Sequence, residues 1–300
     1  MIKSLLLLLF VVALSFAKII DFEMYSNSLL SDRLVNIKIL DAKELEFKSI
    51  NSIEVKELSA LAYKDKKLYV LGDKGKLFHF DISIQGDRIQ ELSLVKAFKL
   101  KNTYGEVLKK SHRDSEGLCF IEDELLVSFE RKPRIDVYSL HGIKEKKKKI
   151  HKDLREIKNY RDKNDALESV AYNKKYGAIT APEKSLKAQS KDAHIIYAKK
   201  DTWKIPKEGS ITALEFMNED TVMVLQRKFN NFTRRRVVTI SSLNLENSEY
   251  KVLASLDTKD GWNLDNFEGL TKVDENKYLM ISDDNDSFFQ KTLLVLFEVF

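Results

Sequence analysis

Three hundred residues with 43% apolar and 32% charged side chains and a formal net charge of +5 describe a folded, soluble protein and exclude a disordered chain. With only 10 Gly and 3 Pro, the turns must be built largely from Asp, Asn and Lys. The single cysteine, Cys119, excludes an internal disulfide, and its apolar strand setting makes it a buried structural thiol.

In chain order, residues 1–4 form a short basic head and residues 5–14 an unbroken apolar run. Ser15-Phe-Ala17 then supplies a small-x-small cleavage signal. This pattern predicts a secretory signal peptide over residues 1–17, too short to span a bilayer comfortably. The mature chain is then residues 18–300, periplasmic or secreted, with no membrane span. Residues 18–36 have no strong period and read as a lead-in, whereas 34–40 and 45–50 alternate as two strands.

A repeat follows at intervals of roughly fifty residues. Ser59-Ala-Leu-Ala-Tyr63 precedes Leu68-Tyr-Val-Leu-Gly-Asp73, and Glu116-Gly-Leu-Cys-Phe120 precedes Leu125-Leu-Val-Ser-Phe-Glu130. Glu168-Ser-Val-Ala-Tyr172 precedes Tyr176-Gly-Ala-Ile-Thr180 and Glu183. Thr212-Ala-Leu-Glu-Phe216 precedes Thr221-Val-Met-Val-Leu-Gln-Arg227, and Asn266-Phe-Glu-Gly-Leu270 precedes Tyr278-Leu-Met-Ile-Ser-Asp-Asp284. Two further strands follow in most copies, so the fold class is all-β, a β-propeller of four-stranded blades in one domain. Five motif copies are present, and the surplus N-terminal strands leave room for a sixth blade. The second copy has a poorly defined fourth strand near Ile150, and the lysine run 144–149 reads as a solvated turn. The last copy lacks one strand; an N-terminal strand closing the ring would pair both free edges.

Leu58-Ser-Ala-Leu-Ala-Tyr63, Asp114-Ser-Glu-Gly-Leu118 with Pro133-Arg-Ile135, and Asn266-Phe-Glu-Gly-Leu270 with Ser282-Asp-Asp-Asn285 resemble the phytase-like family, "esterase-like activity of phytase", of exported bacterial propellers. The likeness runs from about residue 57 to the end. It implies a propeller with phosphoesterase or esterase activity. The third copy departs from it with Glu-Ser-Val, and the fourth with Thr-Ala-Leu.

Hairpin geometry narrows the chemistry further. The start of strand one and the end of strand two share a rim, so Asp73, Glu116, Glu130, Glu168, Glu183, Glu268, Asp283 and Asp284 converge there. Lys74, Arg131, Arg134, Lys184, Arg227 and Lys228 share the same end. Carboxylates without clustered His or thiolates suit a hard cation, Ca²⁺ before Mg²⁺. The candidate ligands are Glu116, Glu168, Glu268, Asp283 and Asp284. Arg131, Arg134, Arg227 and Lys184 could clamp a small anionic or phosphorylated substrate. Glu116, Glu268 and His112 are the candidate acids and bases. The same carboxylates also read as architectural groups satisfying backbone donors and neighbouring cations, and the alternative function is a propeller that binds an anionic ligand, envelope component or partner without turnover. Arg234-Arg-Arg236 beside Phe229 and Phe232 has a nucleic-acid look, but the export signal and modest charge favour a surface hairpin, with no nucleic-acid partner. A monomer is expected.

Overall fold

A strand buried on one face alternates apolar and polar, yet Leu68-Tyr-Val-Leu71 is apolar throughout. Such a strand needs cover on both faces. The computed structural model describes residues 15–16, 18–26, 34–47 and 49–300, and in it five antiparallel blades stand side by side round a closed ring. Strands β1 (Ser15–Phe16), β2 (Lys18–Asp21) and β3 (Ile37–Glu46) come first. Blade one is β4 (Leu58–Lys64), β5 (Lys67–Gly72), β6 (Lys76–Gln85) and β7 (Arg88–Lys99), with β1 on its outer edge. Blade two is β8 (Ser115–Ile121), β9 (Glu124–Phe129), β10 (Arg134–Tyr138) and β11 (Lys144–Lys148). Blade three is β12 (Leu167–Asn173), β13 (Gly177–Pro182), β14 (Ala193–Tyr197) and β15 (Thr202–Pro206). Blade four is β16 (Ser210–Phe216), β17 (Thr221–Phe229), β18 (Arg236–Asn244) and β19 (Tyr250–Asp257). Blade five is β20 (Asn266–Lys272), β21 (Lys277–Asp283), β22 (Leu293–Val299), then β3 and β2.

The apolar runs are explained by the five interfaces between blades, each with its own core. Leu68 and Val70 pack towards Leu279 and Ile281 of blade five, while Tyr69 and Leu71 pack towards Leu118 and Val127 of blade two. Tyr278 and Met280 meet Met223 and Leu225 between blades five and four. Leu126 joins Val170 between blades two and three, and Ile179 joins Val224 between three and four. Each such side chain stabilises by about 1.5–3 kcal/mol when taken from water. The tight turns use polar residues in place of glycine, as expected: Asp65 and Lys66 both take positive φ, 52° and 60°, which a two-residue hairpin requires.

Ring closure is as predicted, with β3 pairing β22 from Leu293↔Glu44 to Val299↔Ile37. The blades number five, because the spare N-terminal strand extends blade five and starts no sixth. Other expectations need correction. In place of the two strands read at 34–40 and 45–50 there is one strand, β3 (Ile37–Glu46), bent by a register shift opposite Leu296 and Phe297, and Ile50 makes only an isolated bridge to Ile53. The lead-in contains β2, whose burial is only partial, so its period was weak. The lysine run is no turn; it is the fourth strand β11, and Ile150 lies beyond it in the core. An outermost edge strand needs no apolar face, and lysines keep that edge from pairing with another chain. The apolar run expected to form a signal peptide lies outside the described residues. Among those described, no helix is long and apolar enough to cross a membrane.

Candidate functional site at the channel mouth

The inner strands β4, β8, β12, β16 and β20 line the axis, and each carries the same irregularity. Its pairing with the second strand skips one residue: Ser59, Glu116, Glu168, Thr212 and Glu268. A bulge of this kind re-aims a side chain and ends regular pairing. The bulged residues form one ring of three carboxylates and two hydroxyls. The next position in each strand is Ala60, Gly117, Ser169, Ala213 or Gly269, and its smallness has a cause. A Cβ on Gly117 would lie 2.4 Å from Ser128 Oγ and 2.7 Å from the Val170 nitrogen of the next blade. A Cβ on Gly269 would lie 3.1 Å from the backbone of Ala60. The inner strands therefore approach closely, and the central cavity lined by Glu116, Ser169, Thr212 and Glu268 is about 10 Å³, room for one water or one monatomic ion. Leu61, Leu118, Leu214 and Leu270 also line it.

A second ring sits at the rim end of the second strands: Asp73, Glu130 and Glu183 just past β5, β9 and β13, Asp283 as the last residue of β21, and Arg227 two residues before the end of β17. Backbone bonds fix it, from Asp73 N to Glu57 O at 3.0 Å, Glu130 N to Asp114 O at 3.0 Å and Glu183 N to Ala166 O at 2.9 Å. Arg227 pairs with Ser210 across its ladder, and Asp283 with Asn266. Two carboxylate triads result, Asp73/Glu268/Asp283 and Asp114/Glu116/Glu130, with ligand oxygens within 4.8 Å of one another in each.

The electrostatics follow from crowding these acids round one guanidinium. Burial, reinforced by Glu268 and Asp73, pushes Asp283 up to about 9. Burial, with Asp114 and Glu183, lifts Glu130 to about 8. Glu268 rises to about 7 through burial, although Arg227 Nη2 donates to it at 3.0 Å and Asn266 Nδ2 at 2.7 Å. Asp73 rises to about 6 through burial, opposed by a hydrogen bond from the Ser59 hydroxyl. Glu116 and Glu168 are pushed well above the carboxylate range by burial and then by their acidic neighbours, with no hydrogen bond to a protein donor among the described residues. Ser169 Oγ is likewise buried without a partner.

The remaining predicted residues divide. Asp284 is spent on structure: its Oδ1 accepts from Glu57 N at 3.2 Å and Asp286 N at 3.0 Å, and it stands in neither triad. Arg131 pairs with Asp114 at 2.6 Å and Lys184 with Asp165 at 2.6 Å, both at the rim. Lys74 pairs with Glu57. Arg134 turns into blade two, bonding Asp136 at 2.8 Å with its guanidinium 3.6 Å from the Phe129 ring centre. His112 faces Ser111 and Lys132, at 3.1 and 2.8 Å, and burial and nearby cations lower its pKa. Asp114, as a triad member, and the bulges themselves were missed. A fivefold recurrence of the residue before the small one was the available signal.

A closed five-bladed ring with an acidic axial mouth defines a β-propeller with a candidate cation site. A model of the phytase-like family, "Esterase-like activity of phytase", matches residues 53–286, and the chain belongs to that family. No curated protein matches the chain by sequence. Among solved structures, a chain of the mitotic checkpoint complex is similar at 10% identity and TM-score 0.40, covering 86% of this chain and 68% of that one. The Dos1 propeller is similar at 7% identity and TM-score 0.39, covering 86% and 73%. A chain described as a putative oxidoreductase (glucose dehydrogenase) from Thermus thermophilus gives 10% identity and TM-score 0.37, covering 85% and 93%.

Proposed function

We propose that the protein is an exported hydrolase of phosphoesters or related esters, acting at the channel mouth with a divalent cation, calcium first. The observation that carries this reading is the pair of carboxylate triads, with Glu116 buried in one and Glu168 partly buried outside both, neither bonded to a protein donor among the described residues. The donor set fits a hard cation, since it is all oxygen, with neither imidazole nor thiolate. Asp73, Glu268 and Asp283 would hold one ion, and Asp114, Glu116 and Glu130 a second. When bound, such an ion polarises an ester oxygen and makes a water more acidic.

The chain's own groups do the rest. Arg227, the single cation in the two rings, offers its guanidinium to an anionic ester. Glu168, whose carboxyl is pushed well above the ordinary carboxylate range by burial and its acidic neighbours, is the candidate acid for a leaving oxygen. The cavity of about 10 Å³ keeps the substrate out of the axis and at the mouth, where Glu168 is partly exposed. That tightness favours a second reading, an architectural ion site without turnover. Hydrolysis of p-nitrophenyl phosphate separates the two. The enzyme reading predicts calcium-dependent turnover that Glu168→Gln lowers by about 10²-fold. Calcium binding with no hydrolysis of phosphate or carboxylate esters leaves the second.

A further inference from the structure

Two neighbouring hairpins rise from the same end as the carboxylate rings and carry what the site does not use. Residues 230–235 join β17 to β18, and residues 284–292 join β21 to β22. Their phenylalanines point into solvent: Phe232 is 95% exposed, Phe288 98% and Phe289 86%. The loops are built to hold them out. Asn230 Oδ1 accepts from Phe232 N and Thr233 N, each at 3.0 Å, while Asp284 Oδ1 accepts from Asp286 N at 3.0 Å and Ser287 N donates to Asp284 O at 2.8 Å. The hairpins also touch each other. Arg236 Nη2 lies 3.2 Å from the Gln290 side-chain amide, and Asp265 accepts from Lys291 N at 2.8 Å while facing Arg236 at 3.6 Å. The charge around them is positive on the blade-four side: Lys228, Arg234, Arg235 and Arg236 stand in a stretch without an acid. Arg235 is paired with Asp257, whereas Lys228 and Arg234 form no ion pair among the described residues.

We infer that this end of the propeller docks on an anionic phospholipid bilayer, with Phe232, Phe288 and Phe289 entering the interface and Lys228 and Arg234 facing the headgroups. Isolated exposed apolar residues are ordinary, but three almost fully exposed phenylalanines on adjacent hairpins are not. The tips are convex. A fluid interface closes round a protruding ring, whereas a folded partner would have to bring a matching pocket. Aromatic rings at the headgroup level with cations beside them are what such an interface binds. Docking would turn the carboxylate mouth towards the headgroup layer. The inference does not require the mouth to bind a metal.

The test is cosedimentation of residues 18–300 with vesicles of phosphatidylcholine alone and of phosphatidylcholine with phosphatidylglycerol. Binding is expected to the second, to weaken with added salt, and to fall about tenfold or more in Phe232→Ser/Phe288→Ser/Phe289→Ser and in Lys228→Gln/Arg234→Gln. Phe288→Trp gives a check independent of those variants' folding. Its added fluorescence must shift to the blue on anionic vesicles, the native Trp203 and Trp262 being buried. Absence of vesicle binding overturns the inference, as does binding that the phenylalanine variant leaves intact. So does a phenylalanine-dependent dimer in solution without vesicle binding, which would assign these hairpins to a second copy of the chain.

Discussion

Burial raises the Glu116 and Glu168 carboxyls and every neighbouring acid raises them further, while Asp283 at about 9 and Glu130 at about 8 hold protons at neutral pH in the metal-free mouth. The sign of the stability effect follows. These groups bind protons more tightly folded than unfolded, so their contribution is full below the ordinary value of 3.8 for Asp and 4.5 for Glu. It is lost as pH rises through about 6 for Asp73, 7 for Glu268, 8 for Glu130 and 9 for Asp283. Melting of the metal-free protein is therefore expected to fall by on the order of 10 °C between pH 5 and pH 8.5. Glu168→Gln, neutral throughout, flattens that slope and melts higher than the parent at pH 8.5. Equal slopes in scanning calorimetry would mean the carboxylate is not held as described.

At the scale of elements, the inner strand decides the geometry through its bulge and the small residue after it. Gly117→Ala forces a Cβ against Ser128 Oγ and the backbone of blade three, and is expected to cost about 3 kcal/mol in urea unfolding. Gly86→Ala meets nothing, and costs only the left-handed backbone penalty of about 1 kcal/mol. Equal costs would remove the close approach from the account. The apolar runs of β5, β9, β17 and β21 were legible because strands covered on both faces lose their alternation. The shared rim of Glu116 with Glu130, and of Glu268 with Asp283, was legible from hairpin length. Bulges were not, since the recurrent residue before a small one marks a position without showing that its pairing is skipped. Nor was β11, whose lysines satisfy an exposed edge and mimic a turn, nor the blade-two triad, because Asp114 enters it from outside the repeated motif.

For the whole molecule, one strand from the beginning of the chain completes a blade made by its end. Ile37 is fully buried between blades four and five, opposite Val299. Ile37→Ala is expected to destabilise the entire ring in one transition, by about 3 kcal/mol, because an opened ring exposes the edge of β22. A separate early transition confined to the N-terminal strands would show that closure is dispensable. The two rings depend on that closure, since the Asp73/Glu268/Asp283 triad joins blade one to blade five. Calcium titration of residues 18–300 by calorimetry, at pH 8 and pH 5.5, tests the central claim most directly. The account predicts saturable binding at pH 8 with proton release, weaker binding at pH 5.5, and its loss in Glu268→Gln/Asp283→Asn combined with Glu116→Gln. No heat at pH 8 and no rise in melting temperature with millimolar-range calcium would contradict it, and would leave the mouth a store of protons.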